Sequence, residues 1–149
     1  MQIDPQNFLI DCLQYCGVPY VWGGASIISG VDCSGYVQIV LEKYGLDPKG
    51  DQTAQALYDH FLNTKTGVPI LKPYIELGNL LFFGSSIKNI THVAIAVSTY
   101  RMVEAGGGGR NTTSIEIARR QGAKVRVSNI NSRKDYIGGL QLTGLNFSI

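Results

Sequence analysis

The spacing of apolar positions changes character midway along the chain. In the first half they recur every three or four residues, at Phe8, Leu9, Cys12, Leu13 and Cys16, then at Val37, Val40, Leu41 and Tyr44, then at Ala54, Leu57, Tyr58, Phe61 and Leu62. Each set describes one buried face of an α-helix. The punctuation agrees with this reading. Asp4-Pro5 opens the first helix and Gly17 and Pro19 close it; Asp32 caps a second helix over Cys33 to Tyr44 that stops at Gly45; a third covers Asp51 to Leu62. Beyond a loop around Pro69 and Pro73 the texture becomes that of short strands, at Asn79 to Phe83, Val93 to Val97, Arg101 to Ala105, Lys124 to Ile130 and Gly138 to Leu142. Helices first and strands later predict an α+β fold, with N-terminal helices packed on an antiparallel sheet rather than alternating βαβ units. The length predicts a single domain over residues 1–149, large enough to bury a core without disulfide or metal support.

Charge narrows the partners. A net charge of +2, with basic residues clustered no further than Arg119-Arg120 and Arg133-Lys134, gives no face that would hold a nucleic acid, and the two clusters read as solvated surface. Three cysteines cannot all pair, and Cys12 and Cys16 fall on one predicted helix face, which argues for reduced thiols. With His60 and His92 as the only histidines, four convergent metal ligands are not expected, nor is any cofactor. The run Gly106 to Gly109 lacks a Gly-Lys-Ser/Thr ending, so it reads as bare backbone lining a cleft and not as a phosphate cradle. No stretch is apolar for long enough to span a membrane, and the N-terminus has no signal-peptide pattern.

Candidate chemistry centres on Cys33. The first amides of a helix lack intrahelical partners and, with the helix dipole, stabilise negative charge, so a thiol at the predicted helix start is placed to act as a thiolate nucleophile. Gly35, in the first turn, would let a substrate or a neighbouring strand approach. A lone cysteine is by default a small core residue, and a thiol nucleophile also needs a base within hydrogen-bond reach. His92 opens His-Val-Ala-Ile-Ala-Val, a strand pattern that puts His92, Ala94 and Ala96 on one face. The small residues on that face suggest that the Cys33 helix packs over it. Glu104, on the next predicted strand, shares the His92 face if paired residue numbers sum to an even value, whereas a two-residue turn at Thr99-Tyr100 would put it on the other. His60 reads as half-exposed structure.

Together these segments form a pattern. Tyr20-x-Trp22-Gly23-Gly24, Asp32-Cys33-Ser34-Gly35-x-Val37, Gly78-Asn79-Leu80-Leu81-Phe82-Phe83 and His92-Val93-Ala94-Ile95 resemble the NlpC-like family of papain-like cysteine peptidases. The resemblance implies a papain-like fold and hydrolysis of peptidoglycan stem peptides, typically after a γ-linked D-glutamate and before a diamino acid. It implies Cys33 as nucleophile, His92 as base and position 104 as the polar third member. Tyr20, Asp32 and Ser34 match positions that line the subsite for the peptide's N-terminal side, and Tyr20 or the Cys33 amide could hold the oxyanion. Two residues depart from the family pattern: Glu104, where His, Asn or Gln is usual, and Asn79, where Asp is usual. A non-catalytic wall-binding or phage-particle module of the same fold, and a papain-like amidase or acyltransferase, are the alternatives.

The resemblance also implies where the chain works. Without a signal peptide or an evident wall-binding domain, it is expected to be made in the cytoplasm and to reach the bacterial cell wall by lysis, injection, a phage particle or a targeting partner.

Overall fold

The computed structural model describes residues 2–149. In chain order it contains α1 (Pro5–Leu13), a small hairpin of β1 (Ala25–Ser26) and β2 (Gly30–Val31), α2 (Cys33–Glu42), α3 (Ala54–Asn63), β3 (Gly67–Ile70), β4 (Leu80–Ser86), β5 (Asn89–Ala96), β6 (Arg101–Gly106), α4 (Ile115–Gln121), β7 (Lys124–Asn129) and β8 (Tyr136–Leu142). Strands β3 to β8 form one six-stranded sheet in the order β3-β8-β4-β5-β6-β7, with every neighbouring pair antiparallel. The α+β architecture expected from the sequence is present. Among the described residues no helix is long and apolar enough to cross a membrane.

The helix starts follow the capping chemistry. Asp4 Oδ1 accepts the Gln6 amide at 2.8 Å, Thr53 Oγ1 accepts the Ala56 amide at 3.0 Å, and Ser114 Oγ accepts the Ile117 amide at 3.2 Å. Helix α1 ends at Leu13, earlier than its apolar spacing suggests. Phe8 and Cys12 are therefore buried while Cys16 lies exposed beyond the helix, which corrects the placing of both cysteines on one buried face.

The packing of the sheet overturns one expectation. Helices α2 and α3 bury Val37, Val40, Leu41, Leu57 and Phe61 against the face that carries Leu80, Phe82, Val93 and Ile95. Ala94 and Ala96, the small residues of the His92 face, belong to a second cluster on the far side with Ile75, Leu81, Phe83, Met102 and Ile130. The helices thus pack on the β5 face that carries Val93 and Ile95, whose burial is favourable, and the alanines make room for the side chains of the second cluster. His92, paired with Phe83, still reaches Cys33, and β4 and β5 slip register just beyond that pair, around Gly84 and Ser86. Such bulges bend a strand and re-aim its side chains.

Two elements have weak sequence signals. In β3 only Gly67 is buried and Pro69 sits on the sheet edge, so neither alternation nor an apolar run marks it. In α4 only Ala118 is buried over seven residues, too few for a helical period, and Gly122 closes it in the left-handed conformation at φ 67°.

Candidate active site

Cys33 is the first residue of α2, and the residues around it hold that start in place. Asp32 caps the helix: its Oδ1 accepts the Gly35 amide at 2.7 Å and the Ser34 hydroxyl at 3.2 Å. The Asp32 amide donates to the Gly24 carbonyl at 2.9 Å. That carbonyl presses on Gly35 so closely that any Cβ there would collide with it. Gly35 is therefore required by the Gly24 loop and not by a substrate or strand. Cys33 is 8% exposed, and its Sγ lies 4.0 Å from the Thr91 carbonyl, which brings the thiol beside the residue preceding His92.

The imidazole is fixed from its other side. Ile95 pairs with Val103 and Ala96 with Met102, an even register made by a turn over residues 97–100, and it puts Glu104 on the His92 face. Glu104 Oε1 lies 2.7 Å from His92 Nε2, and both side chains are buried. Glu104 Oε2 accepts the Ser128 hydroxyl at 2.6 Å and Arg126 Nε at 3.3 Å, both from β7. Burial pushes the Glu104 carboxyl up, but the His92 bond, the Ser128 bond and the charges of His92 and Arg126 outweigh it and bring the pKa down to about 2. For His92, burial disfavours the cation; the Cys33 and Glu104 contacts overcome this and raise its pKa. With Nε2 taken by a carboxylate, Nδ1 is the nitrogen left to exchange a proton with Cys33.

A cleft of about 380 Å³ opens beside the thiol. Tyr20, Trp22, Asp32, Cys33 and Ser34 line it together with Asp51 to Ala54 and Ile90 to Thr91. Five of the six residues expected at the site, all but Glu104, are thus gathered at or next to this cleft, and Glu104 stands behind His92. Burial pushes the Tyr20 phenol upward and the charges of Cys33 and Asp32 add to this, so its hydroxyl keeps its proton as a donor. The Asp32 carboxyl is also raised by burial, against the Gly35 and Ser34 bonds that lower it, and Asp51 adds in the raising direction.

Other residues fall away from the chemistry. His60 is near the opposite end of α3, in a separate cavity with Leu46 and Phe61. The Gly106 to Gly109 run does not line the cleft as expected: Gly106 ends β6 beside Glu104 and Arg126, and Gly108 lies against the Tyr20 ring. Asn79 Oδ1 accepts the Glu76 amide at 2.8 Å, a turn bond that Asn makes as well as Asp.

A family model described as "NlpC/P60 family" matches residues 17–132. The chain belongs to the NlpC/P60 family. It is 38% identical over 106 residues to the "Bifunctional muramidase/DL-endopeptidase CwlT" of Bacillus subtilis, covering 70% of this chain and 30% of that protein. It is 30% identical over 104 residues to the "Gamma-DL-glutamyl hydrolase" of the same organism, covering 68% of this chain and 23% of that protein. The crystal structure of an NLP/P60 family protein from Staphylococcus aureus superposes with a TM-score of 0.68 at 28% identity, covering 95% of this chain and 43% of that one. The chain thus spans about a third or less of the curated relatives it matches.

The NlpC/P60 site of this chain includes residues that sequence reasoning passed over. Ser128 and Arg126 alternate along a predicted strand, a signal that they share a face, but nothing in the sequence said which residue that face meets. Buried Gln38 is another: its Nε2 donates to Asp47 Oδ1 at 2.8 Å and to the Gly50 carbonyl at 2.9 Å, and its Oε1 accepts the Gln52 amide at 2.8 Å. It ties the Asp51 wall of the cleft to α2.

Thiol reactivity follows from this placement. Cys16 is the exposed cysteine, yet iodoacetamide at neutral pH is expected to label Cys33 at least about tenfold faster, because only Cys33 has a helix start and an imidazole beside it. Peptide mapping after brief labelling checks this, and His92→Ala should slow the Cys33 reaction. Cys16 labelling first would contradict Cys33 as the reactive thiol.

Proposed function

We propose that this chain is a cysteine endopeptidase that cuts bacterial peptidoglycan stem peptides, at the bond between a γ-linked D-glutamate and a diamino acid. The observation that carries the reading is Cys33 at the start of α2 beside His92, whose Nε2 is held by buried Glu104. The names of the relatives, a DL-endopeptidase and a gamma-DL-glutamyl hydrolase, support the substrate class.

The Cys33 thiolate attacks the γ-carbonyl carbon and a C–S bond forms. The oxyanion is met by the Cys33 amide, at the positive end of the helix dipole, and by the Tyr20 hydroxyl. His92 as imidazolium gives its proton to the amine nitrogen as the C–N bond breaks, leaving a thioester and a neutral imidazole. The imidazole then takes a proton from water, whose oxygen attacks the thioester carbonyl. The C–S bond breaks, the new carboxyl end departs, and the thiolate–imidazolium pair is restored. Glu104 keeps the ring oriented through both steps and favours its cation.

Specificity comes from the cleft. Asp32 commits Oδ1 to the helix start, and its other oxygen accepts the free α-amine of an N-terminal L-alanine. A charge-assisted bond of this kind contributes about 1.5–3 kcal/mol, so a free tripeptide stem should be cut about 10- to 100-fold faster than its N-acetylated form. Asp32→Asn caps a helix nearly as well and should narrow that ratio. Rates for the two peptides with both proteins, products identified by mass, make the test: a ratio unchanged in the Asn variant would remove the amine role, and no cleavage of either peptide by the native protein would reject the peptidase.

A further inference from the structure

Both oxygens of Glu104 are committed, and to partners with different roles. Oε1 meets His92, while Oε2 receives Ser128 and Arg126, which alternate on β7 with Arg126 paired directly opposite Glu104. The backbone makes space for this arrangement. A Cβ at Gly106 would stand 3.0 Å from both the Glu104 carboxyl carbon and Arg126 Nη2, so the glycine lets the guanidinium and the carboxylate lie side by side. Glu104 is 1% exposed, whereas the Arg126 side chain is 40% exposed and connects the buried charge to solvent. A buried carboxylate with too few donors is costly, and a neutral residue at this position would need no such cation.

We propose that Ser128 and Arg126 are positioning residues for the His92–Glu104 pair: they lock Oε2 so that Oε1 alone faces the ring, and they temper the carboxylate so that the imidazolium can give up its proton. The catalytic meaning of this rests on the Cys33–His92 reading above. An unmodified carboxylate against an imidazole stabilises the cation, which helps form the thiolate but opposes proton delivery to the leaving amine. Donors on the far oxygen draw charge away from the ring and lower its proton affinity. The other charged or titratable groups around the pair are Cys33 at the α2 start, Tyr20 beside it, and Arg133 and Asp135 ahead of β8; all remain when Ser128 or Arg126 is replaced.

The test is the titration of His92 by NMR in the full chain without substrate, with His60 as an internal control because it lies near the far end of α3. Arg126→Gln and Ser128→Ala should each raise the His92 midpoint by about half a pH unit or more and leave His60 unmoved. Arg126→Lys and Ser128→Thr, which keep the charge and the hydroxyl, should stay near the native midpoint. With a stem peptide, the Gln and Ala variants should lose kcat with KM unchanged. A His92 midpoint that stays in place or falls in both variants would overturn the positioning role. The titration needs no turnover, so a native protein that cuts no stem peptide would reject the peptidase reading and leave this result standing.

Discussion

Replacing Cys33 or His92 with Ala is expected to lower kcat/KM on a stem peptide by about 10⁴-fold or more, and the double replacement to cost little beyond either one. The reason lies in the coupling of the two groups in the proposed mechanism. Without His92, a thiolate at the α2 start has no proton to offer the amine it must expel; without Cys33, the imidazole has nothing to activate. Groups that act as a unit do not add. Steady-state kinetics of the two single variants and the double variant on one peptide check this. Losses that multiplied, with each single variant retaining a large share of the activity, would mean that the two side chains work independently.

Glu104→Ala is expected to reduce kcat by about 10²- to 10⁴-fold with KM nearly unchanged, because in the proposed mechanism the lost bond orients the imidazole and touches no substrate. The same substitution should leave a signature in stability. The Glu104 pKa of about 2 lies below its ordinary 4.5, so its contribution to folding is fully present above about pH 4.5 and is lost as pH falls through about 2. The His92 pKa is raised from 6.5, so its contribution is complete below about pH 6.5 and is lost as pH rises through the folded value. The gap in Tm between native and Glu104→Ala proteins should therefore be widest near pH 5.5 and narrow towards both acid and alkali. A gap independent of pH, with full turnover in the variant, would remove Glu104 from the site.

Much of this arrangement was legible in the sequence because it rests on local rules. Asp32, Cys33 and the apolar stripe through Val37, Val40 and Leu41 define a capped helix whose first residue is a thiol, and the structure has that helix. What failed depended on contacts between distant elements. The face of β5 covered by α2 could not be read from Ala94 and Ala96, since small residues fit a closely packed helix and a second apolar cluster equally well. The side on which Glu104 falls hung on the parity of one turn, now seen over residues 97–100. Cys16 was misplaced because apolar spacing continued past the last helical residue, Leu13. Ser128 and Arg126 carried a strand's alternation but no indication of their partner, since β7 pairs with β6 across the intervening α4.

In the proposed function Cys33 opens one particular bond in the cell wall, and mass analysis of a digest tests this most directly. Purified peptidoglycan is incubated with the native protein and, separately, with Cys33→Ala, and the soluble fragments are identified by mass. Fragments ending in a new D-glutamyl carboxylate, paired with fragments beginning at the diamino acid and released by the native protein alone, are the predicted result. Fragments of any other kind, the same fragments from both proteins, or none from either would contradict it.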